Sequence, residues 1–85
     1  MKTETENLHK GKVIVVLGPV VDVEFDGTYM PKIHEKLLVK MAQNNFVALE
    51  AFSHVRSGVA RCIALRATDG MSRGMEVYAS GEPIK

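Results

Sequence analysis

What most constrains this chain is its rhythm: short apolar runs, each followed by a break at Gly, Pro, Asn or Asp. Helices need longer periodic stretches, whereas runs of about four to eight residues with turn signals every eight to twelve suit strands. Lys12–Leu17 is β-branched and nearly all apolar, which suits a strand covered on both faces, while periodicity alone leaves a buried helix as the alternative. Gly18-Pro19 interrupts it, because proline donates no ladder hydrogen bond and restricts the residue before it. From Val20 the pattern alternates strictly, with Val21, Val23 and Phe25 on a buried face and Asp22 and Glu24 on a solvated one.

Asp26-Gly27 is a turn signal, and Thr28–Glu35 has no period, so it reads as a loop with room for a single helical turn. Leu37, Val39 and Met41 then alternate with Lys36 and Lys40, and Asn44-Asn45 marks the next turn. Val47, Leu49 and Ala51 form the next inward set, with Glu50 outward. Gly58 restarts the chain, and Val59–Arg66 is another β-rich run in which Arg61 must find water or a carboxylate. Asp69-Gly70 and Gly74 bracket a tight connection before the last run, Met75–Ala79, and Gly81-Glu82-Pro83 closes the pattern.

Five or six such strands predict an all-β fold, a small closed antiparallel barrel of six strands, in preference to a layered α/β plan. Closure has a physical motive, since apolar edges such as Val13–Leu17 would otherwise expose unpaired N–H and C=O groups. Eighty-five residues suffice for one such domain. Hydrophobic residues at 46% and charged residues at 25% match a folded domain and not a disordered one. The polar, mixed-charge residues 1–10 read as a disordered arm ahead of a barrel domain over 11–85.

The formal charge of +1 supplies no bulk field for polyanions, and no apolar stretch approaches the length needed to cross a bilayer, so neither nucleic acid binding nor direct membrane insertion is expected. Cys62, alone, forms no intramolecular disulfide, which points to a reducing compartment. No catalytic or metal site is expected. His9, His34 and His54 lack paired ligand spacing. Asp22 and Glu24 share a face without a pocket-forming loop, and Ser53-His54 and Ser72-Arg73 lack an orienting acid. Gly11-Lys12 lacks the remainder of a phosphate-binding loop, so no nucleotide or other cofactor is expected here. The dispersed rings of Phe25, Tyr29, Phe46, Phe52 and Tyr78 leave a free-standing barrel that binds single-stranded nucleic acid as the alternative reading.

Two ordered blocks carry a family resemblance. G-K-V-I-V-V-L-G-P-V-V-D-V-E-F, Gly11–Phe25, resembles the opening of the beta subunit of F-type ATP synthase. Leu49-Glu50, His54, R-C-I-A over Arg61–Ala64, T-D-G-M-S-R-G-M-E-V over Thr68–Val77 and the following G-E-P-I extend the likeness in family order. It is loosest over 27–35 and 51–60. The V-V-D-V-E-F and T-D-G-x-x-R-G pieces are more similar to the beta subunit than to its alpha relative.

The resemblance implies an N-terminal β-barrel that packs beside alpha-subunit barrels in an alternating ring, the crown of the catalytic head. It implies that the nucleotide site, with ATP or ADP and Mg, lies in later domains, and that the chain, ending at Pro83-Ile84-Lys85, is a truncated piece without that activity. The full-length parent would make ATP from ADP and phosphate using a transmembrane proton gradient, peripheral to the cytoplasmic side of a bacterial inner membrane or the mitochondrial matrix side. Within this reading Gly18, Pro19, Asp69, Gly70 and Gly74 set strand connections. Asp22, Glu24, Arg61 and Arg73 are candidates for salt bridges within the barrel or across a seam, and Leu38, Phe46 and Phe52, off the inward register, for an apolar seam.

Overall fold

The computed structural model describes residues 9–27 and 29–83, with side chains described as far as Ala79. Six strands follow in chain order: β1 (His9–Leu17), β2 (Val20–Phe25), β3 (Glu35–Lys40), β4 (Phe46–Arg56), β5 (Val59–Ala64) and β6 (Glu76–Pro83). They close into one antiparallel barrel in the order β1-β2-β5-β4-β3-β6, and β6 returns to β1 through His9 opposite Ala79 and Lys12 opposite Glu76. The expected six-stranded all-β barrel is therefore the fold.

The inward alternation becomes the core. Val13, Val21, Val23, Leu37, Val39, Leu49, Ala51, Cys62, Val77 and Ala79 are fully buried, and Phe25 nearly so. At one end Met71 reaches the core, with Met41 and Met75 packed against it. The other end is crossed by the segment between β2 and β3, where Pro31 is fully buried and Met30 packs on the core.

Two glycines answer specific geometric demands. Gly18, at φ 59, opens the two-residue β1–β2 hairpin with Pro19, a left-handed position in which a Cβ is strained. Gly11 lets β1 approach β2, since a Cβ there would lie 2.7 Å from the Glu24 carbonyl oxygen and 2.9 Å from Phe25. Gly70 and Gly74 also have positive φ in the β5–β6 connection, beside the exposed Asp69.

Several boundaries and faces need correction. His9 and Lys10 belong to β1 and pair with β6, because their backbone groups complete the closure; residues 1–8 of the expected arm lie outside the described residues. β1 is not covered on both faces: Val15 and Leu17 are exposed, after a register shift between Val13 and Val15. β5 stops at Ala64 rather than Arg66, and β6 continues through the Gly81-Glu82-Pro83 stretch expected to end it. The loop over 28–35 ends one residue early, because Glu35 begins β3. The short 3-10 segment is Ala42–Asn44, not in that loop.

Candidate functional site

Closure pairs the strands all the way round, so the barrel presents side chains rather than a free strand edge to a partner. Its outer face over β6, β3 and β4 carries an apolar row. Tyr78 stands opposite Leu38, and Leu38 opposite Ala48, so one row of three crosses three strands. The Phe46 ring lies 6.5 Å from that of Tyr78, bracketing Leu38, and Leu65 joins the row by donating its N–H to the Ala48 carbonyl at 2.9 Å. Phe46 and Leu65 are each nearly half exposed, Leu38 and Tyr78 partly so. Lysines frame the row: Lys10 opposite Tyr78 and Lys40 opposite Phe46. The Tyr78 hydroxyl donates to Glu76 Oε1 at 2.9 Å, and this bond raises its pKa, with smaller contributions from burial and the carboxylate charge.

The expected seam residues thus divide. Leu38 and Phe46 share the row, whereas Phe52 is the extra residue of a β-bulge between Ala51 and Ser53, exposed on another part of β4. Leu65 was not singled out by the sequence reading, and Tyr78 entered it only among the dispersed rings, not as a seam residue. Tyr78 was legible, since burial of Val77 and Ala79 sends Glu76 and Tyr78 outward.

The expected charged residues divide too. Arg61 Nε donates to Asp22 Oδ1 at 2.9 Å and Nη2 to Oδ2 at 3.0 Å, directly across the β2–β5 pair. Asp22 is buried, a correction to its assignment to a solvated face; Arg61 covers it from the neighbouring strand. The bonds to Asp22, then its charge, raise the Arg61 pKa against opposing desolvation. Glu24 stays exposed, opposite Lys12, which in turn faces Glu76. Among the described residues neither Glu24 nor Arg73, exposed in the β5–β6 connection, forms an ion pair. The turn residues act together: Pro19 O accepts from Ala64 N at 2.8 Å, and Gly18 O from Thr68 Oγ1 at 2.9 Å, tying the β1–β2 hairpin to the β5–β6 connection.

A buried polar group also escaped the sequence reading. Glu35 is fully buried and accepts from the Tyr29 hydroxyl and from Lys32 N at 2.9 Å. Burial first, then the bond to Glu35 and its charge, hold the Tyr29 phenol well above its usual pKa. Cys62 is buried, and burial, followed by the charges of Asp22 and Glu35, pushes its thiol up to about 12, which makes it a packing residue and not a nucleophile. Among the described residues no group of three or more His, Cys, Asp or Glu is placed to hold a metal ion.

The arrangement is a closed scaffold with an apolar outer row framed by charge, and a comparison with known families agrees with that architecture. The family model described as the ATP synthase alpha/beta family, beta-barrel domain, matches residues 13–81, which is most of the chain. Sequence, closed barrel and family match converge: the chain belongs to the ATP synthase alpha/beta family, as its beta-barrel domain.

Proposed function

We propose that this chain is the N-terminal barrel of a beta-type subunit and serves as an attachment domain, docking against an alpha-type barrel in an alternating ring. The observation that carries the reading is the apolar row Tyr78–Leu38–Ala48 with Phe46 on the outside of a barrel whose core is already filled. Burying such a row removes apolar surface from water at about 25 cal/mol per Å². The lysines at its margin supply a polar rim of the kind protein interfaces use. The V-V-D-V-E-F and T-D-G-x-x-R-G segments favour the beta over the alpha type.

In this reading nucleotide and Mg belong to later domains of the parent subunit, which makes ATP with a transmembrane proton gradient on the cytoplasmic side of a bacterial inner membrane or the matrix side of a mitochondrial one. The barrel alone carries no chemistry. Calorimetric titration of the chain with an alpha-type barrel is expected to show saturable binding, and titration with MgATP none; tight MgATP binding would contradict the proposal.

One observation favours a second reading. Phe46 and Tyr78 present neighbouring rings, each with a lysine opposite it, a small version of the stacking platforms that hold single-stranded nucleic acid. Fluorescence anisotropy with single-stranded DNA discriminates: a titration that saturates and weakens with salt supports it, and a flat one removes it.

A further inference from the structure

Three of the chain's five methionines, Met41, Met71 and Met75, gather at the barrel end opposite the β2–β3 segment. We propose that they form an oxidation-sensitive clasp: a hydroperoxide converts the half-buried Met41 and Met75 to sulfoxides, and residues 66–73 of the β5–β6 connection are thereby released from the barrel end. The proposal is independent of the attachment role, since it rests on the thioethers of one barrel end and not on the outer row.

Backbone bonds tie the connection down at its two ends. Leu65 N donates to the Ala48 carbonyl at 2.9 Å, and Gly74 N to the Val13 carbonyl at 2.8 Å. Between these ties three thioethers hold it. Met71 inserts into the core and is only 8% exposed. The Met41 methyl lies over Gly70, where a Cβ would stand 3.8 Å from it. Ser72 N donates to Met75 Sδ at 3.5 Å. Thr68 Oγ1 adds an exposed bond to Gly18 O at 2.9 Å, and Met71 N closes a local turn on Thr68 O at 2.9 Å.

A thioether sulfur attacks the terminal oxygen of a hydroperoxide with its lone pair. The S–O bond forms as the O–O bond breaks, the sulfur is oxidised by two electrons, and the peroxide's own proton leaves on the departing oxygen as an alcohol, or as water from hydrogen peroxide. Access decides which sulfur reacts. Met41 and Met75 are partly exposed, whereas Met71 is sealed in the core and Cys62 is buried with its proton held. The product places a polar group where an apolar one packed. At Met41 the S–O dipole is set against Gly70 and the core, and it reaches water only by swinging the side chain outward. At Met75 the sulfur that accepted from Ser72 N becomes positively polarised, so acceptance passes to an oxygen one bond further out. Both changes undo fastenings of 66–73, and the ties at Leu65 and Gly74 bound the loosened stretch. Sulfoxide reductases reverse the step: two thiols become a disulfide and the oxygen leaves as water.

Mass spectrometry of peptides and site-resolved hydrogen exchange, both on the full chain treated with hydrogen peroxide, test this. One oxygen is expected on Met41 and on Met75 well before Met71 reacts. The Met71 and Ser72 amides, both hydrogen-bonded within the stretch, are expected to exchange about three- to ten-fold faster, with β2, β4 and β5 unchanged. Treatment with methionine sulfoxide reductases should restore their protection. Met41→Leu combined with Met75→Leu nearly conserves volume and should abolish the response. Met30→Leu removes the half-buried thioether of the other barrel end and should keep it. The native chain, its reductase-treated form and Met30→Leu decide the question even where the double variant does not fold. Oxidation of Met71 as fast as Met41 and Met75, unchanged exchange once both are oxidised, or a response that persists in the double variant or vanishes in Met30→Leu overturns the proposal.

Discussion

Arg61 holds Asp22 with a two-pronged grip at 2.9 and 3.0 Å, from a β5 position directly opposite it on β2. The guanidinium is partly exposed and the carboxylate buried, so the two partners have different alternatives to the pair. Asp22→Asn leaves an arginine that reaches water, and is expected to cost about 1–3 kcal/mol from the lost charge-assisted bonds. Arg61→Met leaves a buried carboxylate without its guanidinium and is expected to cost more. Urea denaturation of both variants checks the order; a smaller loss for Arg61→Met would contradict it.

Gly11 and Gly18 are needed for different reasons, and alanine separates them. At Gly11 the new Cβ meets backbone and two core side chains at 3.0 Å or less, so the strands must move apart, at about 1–3 kcal/mol. At Gly18 the Cβ meets nothing within 4 Å, and only the left-handed backbone at φ 59 opposes it, at about 1–2 kcal/mol. Crystal structures would show a shifted β1–β2 spacing in Gly11→Ala and an unshifted one in Gly18→Ala.

Cys62 makes the pH dependence predictable. Its thiol is raised to about 12 by burial, with Asp22 and Glu35 adding to it, against about 8.5 in an unfolded chain. A raised folded value means the folded state holds the proton more tightly, so the contribution to stability is complete below about pH 8.5. It is then lost as the pH rises toward 12. Iodoacetamide at pH 8 should leave native Cys62 unmodified and label it rapidly in urea; labelling of the native chain at the unfolded rate would show that the core is open.

Tyr29→Phe removes the donor to Glu35 while keeping the ring against Phe25 and His9. Because Glu35 also accepts from Lys32 N, the loss should be moderate, about 1 kcal/mol, and confined to the barrel end crossed by the segment between β2 and β3. Site-resolved hydrogen exchange checks it: faster exchange at 29–35 with β1, β2 and β5 unchanged.

Strand interiors were legible because a period of two exposes itself locally: Val21, Val23 and Phe25, then Leu37 and Val39, then Leu49 and Ala51 alternate inward as expected. Burial on the outer side was not. Asp22 is covered by a side chain 39 residues away, and Glu35 by the segment between β2 and β3, so neither can be read from its own strand. Phe52 falls at a bulge, where one inserted residue breaks the alternation without a mark in the sequence. Part of the apolar row was legible from Leu38 and Phe46, which lie off the inward register. The row became visible only when the β3–β6 pairing set Tyr78 beside Leu38, a contact 40 residues apart in the chain.

Sedimentation velocity of the chain mixed with an alpha-type subunit tests the attachment reading most directly, with Phe46→Asp as the partner experiment. The account predicts a faster-moving complex that saturates with the native chain and is absent with the variant, while both chains keep the same β-sheet circular dichroism. No complex with the native chain, or an equal complex with the variant, would contradict a role for the Tyr78–Leu38–Phe46 face in docking.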